Sequence, residues 1–310
     1  MADYALYKYI FNKSDDNNIF TSLTQQKAIE QAQQELEKAV KGELLFVKKQ
    51  KNKEGEYERL NYKLLRSHGG ISVLMICNVK RRKYQEGKED HTLEHHPGCY
   101  VVIDNRPGIA QIAIERSSAF DRNADSVSDL LSRSLNRVFN DMGLSIDIQP
   151  RVSSNDFWET VDTIMYQRKD AVQSIAFHFA TEQTIGPVDA SEEELMRMSF
   201  LTSMIAAFDA GESSFNMRAR KDKSLRLDRT HRDVAMVIDL CCRNGYEIAV
   251  NFKNSGLYRS GEQVRITREM DEGILLAFIH RDLDLFSRNG LLGEWLDDAL
   301  QSSRNEISLT

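Results

Sequence analysis

The chain has only four prolines and four cysteines in 310 residues, and each scarcity excludes something. With so few prolines and no Gly/Ser-rich or low-complexity tract, no flexible interdomain linker is expected, and any domains should pack closely. Cys77, Cys99, Cys241 and Cys242 form no Cys-x-x-Cys pair and have no histidine at metal-ligand spacing. Each stands among apolar neighbours. Reduced, buried thiols and a cytoplasmic location are therefore expected, with no metal site. No run of eighteen apolar residues occurs, so no helix is expected to span a membrane. The first ten residues, Met-Ala-Asp-Tyr-Ala-Leu-Tyr-Lys-Tyr-Ile, lack a cationic segment leading into an apolar core, so no secretory signal is expected. No Gly-rich phosphate loop, Walker lysine or dinucleotide fingerprint is present, and no cofactor is expected. No repeat of fixed short period is found.

What is there suffices for a folded protein. Hydrophobic residues make up 41% of the chain and aromatics 8%, enough for a buried core. Charged residues at 28% and a mean hydropathy of -0.48 describe a well-solvated surface. The length allows two ordinary domains.

The first half reads as α+β. Tyr4–Phe11 alternates as a strand, and a helix is expected from Leu23 to Val40, with Ala28, Ala32, Leu36 and Val40 in one stripe ended by Gly42. Glu43–Gln50 reads as a strand and Tyr57–Arg66 as an extended stretch. Gly69-Gly70 turns the chain into an apolar strand, Ile71–Val79. The polar run from Lys80-Arg81-Arg82-Lys83 to His96 reads as a loop. Cys99–Asp104 and Ile109–Glu115 form a hairpin. If Asp104 pairs with Ile109, Cys99, Val101, Ile103, Ala110, Ile112 and Ile114 collect on one face. A helix follows from Ser126 to Asp141, capped by Asp125 or Ser126, then a strand, Leu144–Gln149, and a helix, Asn155–Gln167.

The second half reads as β-α-β-β-α-β, the ferredoxin-like split β-α-β order. Its strands are Ser174–Ala180, Ser213–Arg220, Ser224–Asp228 and Tyr246–Phe252. The first helix opens on Ser191-Glu-Glu-Glu194, a capping-box pattern, and runs to Gly211; Thr230 caps the second. Gln263–Glu269 and Gly273–His280 add two strands, and a final helix runs from Leu285 to Leu300. The expected division is a mixed antiparallel domain, residues 1–168, and a ferredoxin-like domain, residues 169–310.

The stretch Arg218–Arg232 carries the strongest functional signal. It holds seven Lys/Arg and two Asp in fifteen residues, in a chain whose net charge is -6. A positive cluster that survives on an acidic protein points to a polyanionic ligand. Alternation sends Ile175, Phe177, Phe179, Phe215, Met217, Ile248, Val250 and Phe252 to a helix-covered face. The open face takes His178, Asn216, Arg218, Arg220, Ser224, Arg226, Asp228, Glu247 and Asn251. Arginines on one surface suit phosphate by charge and bidentate hydrogen bonds. The strand aromatics turn inward, which argues against base stacking and for contact with the backbone.

The candidate nucleic-acid-binding residues are thus Arg218, Arg220, Lys221, Lys223 and Arg226, with RNA or DNA as ligand. Such a protein would suit prokaryotic antiviral defence or a mobile element. The alternative reading is a scaffold subunit whose basic face is covered by a protein partner or a second copy. A further alternative is a nuclease. Its candidate catalytic residues are His178, histidine being the side-chain type suited to acid/base work near neutral pH, and Glu115. A hairpin register opposing Glu115 to Gly98 brings Glu115 towards His95 and His96, and leaves it too far from Asp104 to share a metal. His231-Arg232-Asp233 and His280-Arg281-Asp282 resemble a kinase catalytic tripeptide, but the Asn and Asp-Phe-Gly elements do not follow.

Overall fold

The computed structural model describes residues 1–13, 25–51, 57–86, 89–179, 184–185, 190–194, 196–198, 213–221, 223–260, 266–280 and 288–305. In chain order the elements are β1 (Ala2–Lys13), α1 (Gln25–Lys41), β2 (Phe46–Lys51), β3 (Tyr57–Leu60), β4 (Tyr62–His68), β5 (Ile71–Cys77), β6 (Lys80–Glu86) and β7 (Glu89–His95). Then come β8 (Gly98–Asp104), β9 (Gln111–Glu115), α2 (Ala124–Phe139), β10 (Leu144–Pro150), α3 (Ser154–Asp162), β11 (Val172–Phe179) and a two-residue strand β12 (Thr184–Ile185). The chain continues with β13 (Ser213–Arg218), α4 (Arg232–Asn244), β14 (Ile248–Phe252), β15 (Gly256–Arg259), β16 (Thr267–Met270), α5 (Glu272–His280) and α6 (Arg288–Asn305). The class is α+β. Two compact units emerge, Met1–Ile148 with Thr267–Asp298, and Gln149–Ile266 with Ala299–Thr310. A single cut after residue 168 would part β16 from β1, with which it pairs.

The first unit is built on a sheet of order β10-β1-β9-β8-β5-β4, with β16 also against β1. Tyr7 lies opposite Ile112, and Ile112 opposite Ile103, so one face is apolar across three strands. Helices α1 and α2 cover it: the α1 stripe Ala28, Ala32, Leu36 and Val40 is buried, and Phe139 of α2 meets the ring of Phe11 edge-on. The other face is covered as well. Trp295 of α6 packs on Tyr4, and the Gln111 side chain donates to the Leu296 carbonyl. With both faces covered, even the polar positions Asp104 and Gln111 are fully buried.

Four details depart from the sequence reading here. Asp104 pairs with Gln111 rather than Ile109, because Ile109 closes a turn onto Arg106 and the Ala110 carbonyl serves Tyr9 of β1. A shift of two residues keeps every side chain on its expected face. Second, the run expected to be a loop from Lys80 to His96 contains the hairpin β6–β7, registered from Lys80 opposite His95 to Glu86 opposite Glu89. These strands pair only with each other among the described residues, so no apolar alternation was needed to form them. Third, Gly273–His280 is the helix α5, not a strand. A short run that is apolar throughout fits either state, and here Asp271 accepts from the Gly273 N–H at the helix start. Finally, α2 is capped by Asn123, which accepts from Asp125 and Ser126, the two residues expected to do the capping.

The second unit has a four-stranded antiparallel sheet of order β13-β11-β14-β15. Phe157, Trp158 and Val161 of α3 and Ile238, Cys241 and Cys242 of α4 pack against Ile175, Phe177, Ile248, Val250 and Phe252. The capping box forms: Ser191 N–H bonds Glu194 at 2.7 Å and Glu194 N–H bonds Ser191 Oγ at 3.3 Å. Most of the helix expected to follow it lies outside the described residues. Residues 224–228, expected as a strand, form none. A split β-α-β would place another strand between β11 and β13; here the two pair directly and antiparallel. Helix α4 starts after His231, while Thr230 binds back to the Asp228 carboxylate instead of capping it.

Candidate functional site

The basic stretch begins on a strand and continues on a loop. Arg218 ends β13 opposite Ser174, which in turn lies opposite Asn251. The next backbone bonds run from Ala219 N–H to the Gln173 carbonyl and from Leu225 N–H to the Val172 carbonyl. The loop between them is pinned at both ends to the start of β11 and turns through a bond from Lys223 N–H to Arg220. Leu227, buried in the core, anchors the chain after Arg226. Arg220, Lys221 and Lys223 are thus carried on a short loop fastened to a rigid strand, with Arg218 before it and Arg226 after it.

All five cationic side chains are exposed. None makes an ion pair or side-chain hydrogen bond among the described residues. The two later arginines behave differently: Arg229 donates to Asn155, and Arg232 pairs with Glu193 at 2.9 Å. The charge excess is therefore concentrated in the five earlier residues.

The open face of the strands is as expected, but Phe215 and Met217, expected beneath a helix, are exposed at 41% and 38%. His178, Asn216, Arg218, Glu247 and Asn251 share one face, and no aromatic residue joins them from the described strands. Arg220 and Arg226, expected on that face, lie on the loop segments beyond β13, because the second strand of the hairpin does not form. Arg259 was not anticipated. It lies across from Ala249 and its guanidinium binds Glu247. Only the register of β15 brings it there.

The two candidate catalytic residues lie in different units. His178 Nε2 is 3.8 Å from Glu247, a carboxylate already engaged by Arg259. Glu115 lies opposite Tyr4 on one side. On the other it accepts the Tyr100 N–H at 2.9 Å. Burial raises its pKa, the Tyr100 bond works against this, and nearby Glu272 adds to the rise. The register from which Glu115 was expected near His95 and His96 is not the one observed: Asp104 lies opposite Gln111, His95 lies opposite Lys80, and His96 sits 3.6 Å from Glu94. Asp104 is held by Arg106, which also binds Asp297. Among the described residues no group of three or more His, Cys, Asp or Glu is placed to hold a metal ion. No described helix is long and apolar enough to cross a membrane.

Asp170 was missed by the sequence reading. It accepts from the Asn254 and Ser255 N–H groups and from its neighbour Ala171, tying the β14–β15 turn to the start of β11. The turn-forming Asn254-Ser255-Gly256 was the available signal. Compared with protein-family models and with curated proteins, the chain matches none.

Proposed function

We propose that the chain is a cytoplasmic nucleic-acid-associated protein that binds the phosphate backbone of RNA or DNA through Arg218, Arg220, Lys221, Lys223 and Arg226. One observation carries the reading: five exposed cations fall within nine residues, on and around a loop pinned to β11, without a carboxylate partner among the described residues. A cation cluster with no partner among the described residues, in a chain of net charge -6, keeps its charge available for an external polyanion. The strand face beside it lacks aromatics, which favours phosphate contacts over base stacking, and sequence-independent affinity with strong salt dependence. The pinned loop limits the backbone ordering that binding must impose.

The test is fluorescence anisotropy with labelled single- and double-stranded oligonucleotides at several salt concentrations, comparing the wild type with Arg218→Glu/Arg226→Glu. Affinity that falls in the variant, together with a shallower salt dependence, supports the assignment. Unchanged affinity removes this surface as the binding site.

A further inference from the structure

The outer edge of β13 combines three features that fit a second copy of the same strand. Its residues from Ser214 to Arg218 are exposed, and they include two large apolar side chains, Phe215 at 41% and Met217 at 38% exposure. No described strand pairs with that edge. The direction of its backbone groups follows from the ladder. Ala219 N–H bonds Gln173, so odd-numbered positions of β13 face β11. His178 N–H bonds Glu247, which turns even-numbered positions of β11 towards β14 and agrees with this assignment. Bonded positions alternate along antiparallel strands. The N–H and C=O groups of Ser214, Asn216 and Arg218 therefore point away from β11, to the outer edge.

We propose that β13 is a self-association strand: two copies of the chain pair antiparallel about a two-fold axis at Asn216. Asn216 then lies opposite Asn216 of the second copy, Ser214 opposite Arg218, and Phe215 opposite Met217. This register matches all three outward-facing residues of one strand to those of the other. It pairs the exposed apolar side chains on one face and opposes no two like charges. A slip of one residue would set Phe215 against Asn216 and outward backbone groups against inward ones. The Phe215/Met217 face of each sheet continues into that of the other, and the face bearing Arg218 does the same. Pairing through β13 does not require nucleic-acid binding.

The experiment uses the full chain and light scattering across a concentration series. The wild type is expected to be a dimer that dissociates on dilution. Asn216→Pro removes an outward N–H that β11 does not use, and Phe215→Glu places a charge in the apolar pair; both are expected to give monomers with unchanged circular dichroism. Mild oxidation supplies the register. In a bonded antiparallel pair the Cα atoms lie about 5.5 Å apart, within disulfide reach. Asn216→Cys should therefore form a covalent dimer above the background set by the native thiols. Ser214→Cys should not, because it stands four residues, about 13 Å, from its counterpart. A wild type that stays monomeric at every concentration overturns the proposal. So does a dimer that survives both Asn216→Pro and Phe215→Glu, or equal cross-linking of the two cysteine variants. Anisotropy with oligonucleotides is a separate readout, so loss of the dimer and loss of nucleic-acid binding are distinguishable.

Discussion

Reversing Arg218 and Arg226 to glutamate probes the charge cluster most directly. Both side chains are exposed and neither contributes to the core, so the fold should persist. If all five cations neutralise phosphates, the slope of log affinity against log salt is about -4.5 on duplex DNA and about -3.5 on a single strand. Raising salt from about 50 to about 200 mM should then weaken wild-type binding by about 100- to 500-fold. Removing two contacts lowers the slope to about -2.7 or -2.1, and at about 0.15 M salt it costs about 15- to 30-fold in affinity. Two added carboxylates repel the ligand and move the loss beyond that range. Anisotropy titrations at four or five salt concentrations measure both quantities. A variant that binds with the wild-type slope would refute the reasoning, even if its affinity had dropped, because the lost charges would not have been at the phosphates.

Three further outcomes test the fold that carries this surface. Arg106→Ala strands the fully buried Asp104 carboxylate, and breaking a buried pair in this way costs about 3–5 kcal/mol. Asp297→Ala, which removes a half-exposed partner of Arg106, should cost no more than about 1 kcal/mol; urea denaturation that ranks them equally counts against this account. Gly245 ends α4 at φ 71°, and a Cβ there would lie 2.9 Å from Gln149 Oε1, so Gly245→Ala should lose more than about 1 kcal/mol in the same assay. Burial opposes ionisation of Asp170, but bonds from Ser255, Ala171 and Asn254 outweigh it and hold its pKa at about 2, below the usual 3.8. Its contribution is full above the usual value and disappears as pH falls towards 2. Thermal melts of Asp170→Asn should show lower stability near neutrality and a flatter acid limb, and an acid limb as steep as that of the wild type would contradict this.

Much of the architecture was legible along the chain because local periodicity marks local structure. The α1 stripe from Ala28 to Val40 and the alternation around Val101 and Ile103 survive unchanged, since each is set by one element and its own buried face. The hairpin β6–β7 escaped notice because it pairs with no other described strand. Helix α5 was misread because Ile274–Ile279 is apolar at every position and has no period to detect. The basic residues were conspicuous by composition. Their arrangement was not, because whether residues 224–228 pair as a strand depends on competition for the edge of β11, and β13 takes that edge.

By itself, the sequence determined the α+β class, the inward-facing residues of most strands, and the presence of a cation cluster in an acidic chain. Those properties follow from residue chemistry and from periods of 2 and 3.6. The tertiary structure alone decided which strand lies beside β11, that Arg220, Lys221 and Lys223 ride on a pinned loop, and that Glu115 meets Tyr100 rather than histidines. It also decided that Phe215 and Met217 stand on a strand edge with which no described strand pairs. Strand partners are chosen by long-range contacts whose free energy depends on what else can fill the same place, and no local pattern records that choice.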